Sequence, residues 1–169
     1  MSNKVIVYYS WVGNTEVVAK EIQRLTGFEL IRIEEKKDRK FGNIMGAAMG
    51  AFFGFQSGIK PIDFSLQKYD TVFLGAQVWA GKTTPAINKF LSKANFKDKK
   101  IWIFITKADE KVPQMTIDSI ARKIERKGGK VMGNISLTTK WDPKTNIPIT
   151  VEEIRNSIQD WINSIDLNY

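Results

Sequence analysis

The sequence predicts an α/β fold, a five-stranded parallel sheet covered by helices on both faces. Three observations predict it. Five short apolar segments alternate with segments of helical periodicity along the chain. Two of them, Val5–Tyr9 and Ile101–Thr106, are almost continuously apolar, as parallel strands are when both faces are buried. The polar junction after the first strand leads straight into a helix, the connection that right-handed crossovers require. At 169 residues one domain with one sizeable core accounts for residues 1–169, and no linker interrupts it.

The elements follow in order. After Val5–Tyr9 a helix runs from Asn14 or Thr15 to Thr26, burying Val18, Ile22 and Leu25 and stopping at Gly27. The second strand is Phe28–Ile33. Lys36–Lys60 carries glycine at every fourth position, Gly42, Gly46, Gly50, Gly54 and Gly58, with Met45, Phe52 and Phe55 among them. As a helix it would present a ridge of glycines that another backbone can approach closely. Three readings stand: a crossover helix packed on the sheet, an apolar surface for a partner or second copy (a homodimer through 41–55), or membrane contact. The third strand is Val72–Ala76, and the helix behind it opens with Thr84 as N-cap and Pro85 at the first helical position. Ile101–Thr106 precedes a helix opening at Pro113, striped by Ile117, Ile120 and Ile124 and ending at Gly128. The fifth strand, Lys130–Leu137, precedes a helix opened by a capping box of Thr150 and Glu153.

Composition removes whole classes of chemistry. The chain has neither cysteine nor histidine, which excludes thiolate nucleophiles, disulfides, Fe–S ligation and imidazole acid–base catalysis. Carboxylate, hydroxyl and lysine chemistry remain, or chemistry supplied by a bound cofactor. Lys and Arg number 26 against 18 Asp and Glu, a net charge of +8, and such a surface favours acidic partners. No nucleic-acid motif accompanies those charges, and no apolar run approaches the ~20 residues of a membrane span. Met1 to Lys4 lead directly into a strand with no cleavage site after them, so a cytoplasmic protein is expected.

Three loops carry the candidate chemistry. Ser10-Trp11-Val12-Gly13-Asn14-Thr15 joins the first strand to its helix. Free N–H groups and the helix dipole make such a junction an anion site, with Ser10, Asn14 and Thr15 adding donors and Gly13 allowing close approach. After Gly75-Ala76 come Gln77-Val78-Trp79-Ala80-Gly81-Lys82, where Trp79 offers a flat stacking face at a strand's carboxyl end. The third loop begins at Thr106 and continues through Lys107, Ala108 and Asp109. Gly75 to Thr83 looks like a P-loop, but it has five intervening residues where that motif has four, and it follows a middle strand.

Ser10–Thr15 resembles the hydroxyl-x-hydroxyl-Gly-x-Thr phosphate loop of the flavodoxin family. Gly75–Trp79, followed by Pro85 and Phe90-Leu91, is similar to that family's second flavin loop, and the order of elements agrees over nearly the whole chain. The resemblance implies a doubly wound sheet in the order 2-1-3-4-5 with FMN at its carboxyl edge. It implies that Ser10, Val12, Gly13, Asn14 and Thr15 hold the phosphate, while Val78, Trp79, Ala80 and Gly81, with Thr106, Lys107, Ala108 and Asp109, border the ring. Val12 stands where the family has a hydroxyl residue, and the third loop has no aromatic. Trp141, in the loop Thr139–Pro148, is read either as part of the ring's rim or as pinned on the last helix. The functions left open are an FMN-dependent electron carrier, an NAD(P)H-dependent reductase of a quinone or similar acceptor, and a flavin-free binding module. The partner is then an acidic redox protein or a small-molecule acceptor.

Overall fold

The computed structural model describes residues 3–37, 54–111, 113–139 and 147–165. The elements are β1 Lys4–Tyr8, α1 Asn14–Thr26, β2 Glu29–Arg32, β3 Thr71–Trp79 and β4 Lys82–Thr83. They continue with α2 Pro85–Lys93, β5 Lys100–Lys107, α3 Gln114–Glu125, β6 Lys130–Thr138 and α4 Arg155–Ser164. The sheet order is β2-β1-β3-β5-β6, all parallel, which is the predicted 2-1-3-4-5 path. One row across it aligns Val7, Leu74, Ile103 and Asn134.

Alternation along the strands sorts two cores. Val5, Val7, Leu74, Ile103 and Ile105 pack with Ile87, Phe90 and Leu91 of α2 and Ile117, Ile120 and Ile124 of α3. Ile6, Phe73 and Phe104 face the other way, onto Val18 and Ile22 of α1 and Ile158 and Ile162 of α4. Among the described residues no helix is long and apolar enough to cross a membrane.

Four details differ from the reading of the sequence. A sixth strand exists, because Ala80 (φ 48°) and Gly81 (φ 72°) fold Lys82–Thr83 back onto Val78–Trp79 as a tight antiparallel hairpin. β3 therefore runs to Trp79, not Ala76. Pro113 caps α3 instead of opening it. The Thr150–Glu153 box forms one turn early: the Glu153 carboxylate accepts from the N–H and hydroxyl of Thr150, and α4 begins at Arg155. The glycine ridge through Gly42, Gly46 and Gly50, and the expected contact through 41–55 up to residue 53, lie outside the described residues; Gly54 is in a turn and 55–58 are not helical. The segment's flanks meet as an antiparallel pair, with Lys36 N–H on Gly58 O and Lys60 N–H on Glu34 O.

Two constraints of this packing are measurable. A Cβ on Gly75 would lie 2.3 Å from the Phe104 ring and 2.8 Å from Tyr8 Cβ. Gly75→Ala is expected to cost ~1–3 kcal/mol by overpacking, read as a lower midpoint in urea. Buried Glu21 ties α1 to α4, accepting from Arg24 at 2.8 and 2.9 Å with Arg155 at 3.7 Å. The Arg24 hydrogen bond is the main cause holding its carboxyl below the ordinary pKa of 4.5. The stability it contributes is present above that value and lost as pH falls through the lower folded one. Glu21→Gln should therefore flatten the acid limb of the stability–pH curve.

Candidate functional site

The carboxyl ends of β1, β3 and β5 bring the three predicted loops to one edge. At the first, Ser10 is buried and its Oγ accepts the Gly13 N–H at 3.1 Å. Gly13 has φ +99°, a conformation that favours glycine, and begins α1 with no side chain capping it. The first-turn N–H groups of Asn14, Thr15 and Glu16 therefore face outward without intrahelical acceptors. Val12 and Gly13 are half-buried beside them.

The side chains expected to hold an anion are largely engaged within the protein. Asn14 donates through Nδ2 to Thr139 Oγ1 at 3.2 Å and accepts the Ile149 N–H at 2.8 Å. It is a tether between the first loop and the segment after β6. Thr15 Oγ1 and Thr106 Oγ1 lie 2.7 Å apart, both buried, joining the first loop to the third. That contact uses one of the pair's two hydroxyl protons, and the other remains to donate. A Cβ on Gly13 would lie 2.7 Å from Pro148 Cγ, so the glycine makes room for this segment as well as for a ligand.

At the second loop, Val78 and Trp79 are half-buried on β3, and Ala80 and Gly81 form its exposed turn. Gly81 O accepts from Thr116 Oγ1 at 2.8 Å, which fixes the turn to α3. Thr84 caps α2 as expected, accepting the Ile87 N–H at 3.4 Å. Thr83 Oγ1 is buried and has no hydrogen-bond partner. At the third loop Ala108 and Asp109 are exposed, and Asp109 Oδ1 accepts the Lys111 N–H. Lys107 is turned inward: its ammonium donates to Asp109 O at 2.6 Å and Thr138 Oγ1 at 2.7 Å. It braces the loop.

Three participants escape a reading of the sequence. Trp11 donates its N–H to Gln77 Oε1 at 2.9 Å, and its ring centroid lies 5.1 Å from that of Trp79 at 67°. Tyr9 meets Trp79 edge-on at 6.3 Å and donates its hydroxyl to Glu35 at 2.8 Å. The aromatic missing from the third loop thus has a counterpart in the first. Arg32 supplies the cation that Ser10–Thr15 lacks, donating to Ser10 O at 3.3 Å and pairing with Glu16 at 2.9 Å. Its one sequence signal is its place at the end of the strand beside β1, opposite Tyr8. Trp141 lies outside the described residues.

Neither a protein-family model nor a curated protein sequence matches this chain. Solved structures do match. A candidate flavoprotein of Bacteroides uniformis superposes with a TM-score of 0.73 at 16% identity, over 96% of this chain and 99% of that one. A Lactobacillus acidophilus flavoprotein in complex with FMN gives 0.64 at 21% identity, over 80% and 93%. Oxidised flavodoxin 1 of Bacillus cereus gives 0.53 at 22% identity, over 98% and 100%. The fold is flavodoxin-like.

The Asn14 tether has a stability consequence. Asn14→Ala removes two hydrogen bonds and leaves the N–H of buried Ile149 without its acceptor. A loss of ~1–3 kcal/mol is expected in urea unfolding, with or without added ligand.

Proposed function

We propose that this chain binds FMN at the carboxyl edge of its sheet and transfers electrons through it. The observation that carries the proposal is the convergence of an uncapped helix N-terminus and a two-tryptophan wall on one edge. An anionic phosphate suits the α1 terminus, where main-chain N–H groups and the dipole act together. The Ser10 hydroxyl keeps its own proton to donate, as does one member of the Thr15–Thr106 pair. A planar ring suits Trp79 and Trp11, and the small residues Ala80, Gly81 and Ala108 leave its rim open.

The fit is supported by the buried Thr83 hydroxyl beside the second loop. A buried hydroxyl without a partner costs roughly 1–3 kcal/mol, and a polar ligand edge there would relieve it. FMN supplies reversible uptake of electrons and protons, chemistry for which a chain without cysteine or histidine has no side chain of its own. The protein's part is to bind the phosphate, orient the ring between its loops and leave one edge open to a donor or acceptor. The Lactobacillus acidophilus relative in complex with FMN supports the choice of cofactor.

Calorimetric titration tests the reading with FMN and FAD in parallel. FMN is expected to bind and FAD to bind at least tenfold more weakly, ~1.4 kcal/mol, since the loop offers a site for one terminal phosphate and no glycine fingerprint for a pyrophosphate. Equal affinities would overturn it. Trp79→Ala should weaken FMN, and Gly13→Asp should abolish binding, both by placing a carboxylate among the donors and by forcing a Cβ to within 2.7 Å of Pro148 Cγ.

A further inference from the structure

We propose that the groove between α2 and α3 is the docking site for an acidic segment of a protein partner. The groove encloses about 400 Å³ between Asn88, Leu91 and Ser92 on one wall and Lys123, Arg126 and Lys127 on the other. Its charged lining residues are all cations, with no carboxylate among the described residues that form it. Ion pairs among the described residues engage Lys20, Arg24, Arg32, Lys60 and Arg155, and none of the groove's cations.

These cations are oriented by the protein. Lys123 Nζ donates to Asn88 Oδ1 at 2.8 Å, and Lys127 Nζ donates to Ser92 O at 2.6 Å and Ala94 O at 3.1 Å. An ammonium has three protons, so Lys123 keeps two donors and Lys127 one. The Arg126 side chain is exposed. Burial, and then the charge of Lys82, pushes the Lys123 ammonium below its ordinary pKa; burial and Lys93 do the same to Lys127. Like charges are thus gathered at a cost that bound carboxylates would reverse.

The spacing favours a chain of carboxylates over one compact anion. Lys123 lies in the last turn of α3 and Lys127 just past its Arg126 cap, and separate acceptors hold their ammonium groups, Asn88 Oδ1 for the first and the Ser92 and Ala94 carbonyls for the second. Lys82 lies within electrostatic reach of Lys123, and Lys93 of Lys127. Lys82 stands opposite Trp79 in the β3–β4 hairpin, so the group of cations reaches the second loop. A partner lying along it reaches the edge where the cofactor is proposed to sit, and the net charge of +8 steers an acidic protein there.

Fluorescence anisotropy with a labelled oligoglutamate peptide and the full chain tests this without any flavin, so its outcome is separate from that of the FMN reading. Lys123→Gln/Arg126→Gln is expected to weaken peptide binding on the order of tenfold and to lower its salt dependence. The charge-matched pair Lys4→Gln/Lys20→Gln, on the α1 side, should stay within about twofold of the parent. Arg126→Glu, at an exposed side chain, repeats the test should Lys123→Gln perturb packing. The proposal falls if the groove variants bind like the parent or if the α1-side pair loses as much. It falls equally if inorganic phosphate displaces the peptide where chloride of equal ionic strength does not, since the groove is then a small-anion site.

Discussion

Burial of a parallel sheet on both faces is the constraint from which the rest follows. Every strand of the path must start from the same edge, so the loop that follows each strand emerges at the opposite, carboxyl edge. That edge is where backbone groups no longer paired in the ladder have to be satisfied by something else. Here the loops satisfy one another: Thr15 with Thr106, Trp11 with Gln77, Asn14 with Thr139 and Ile149. The edge is already knit together, and the α1 N-terminus and the Trp11–Trp79 pair lie along it. A site of this kind is preorganised, because little has to be ordered when a ligand arrives.

The strands and their order were legible because burial on two faces leaves a strong mark on composition. Val5–Tyr9 is observed as Lys4–Tyr8, and Ile101–Thr106 as Lys100–Lys107. The helix ends marked by Gly27 and Thr84 were legible for a local reason, since the left-handed cap and the hydroxyl cap are properties of one or two residues. The hairpin at β4 was not. It depends on Ala80 at φ 48°, a conformation that alanine does not advertise, and its strand has only two residues.

At the site, residue types were legible and their partners were not. A polar side chain in a loop announces that it will hydrogen-bond, never to what. Asn14 bonds to the segment following β6, and Lys107 to Thr138, because those groups lie nearer than any ligand could. The edge-on contact of Trp11 with Trp79, and the reach of Arg32 to Ser10, are consequences of strand register across β2, β1 and β3. Register is set by the whole sheet, so no window of sequence contains it.

The basic character acquires meaning once it is divided between the two faces of the sheet. On the α1 and α4 side cations are matched: Lys20 and Arg32 with Glu16, Arg24 and Arg155 with Glu21. Partly buried or networked pairs of this sort lock elements together, and they cancel the field that the same charges would project. On the α2 and α3 side Lys82, Lys93, Lys123, Arg126 and Lys127 have no carboxylate within ion-pair reach among the described residues, and the field is left standing. A uniform basic surface would steer an acidic partner to no particular orientation. An asymmetric one would present an acidic partner with one preferred face, the face that the proposed docking groove occupies.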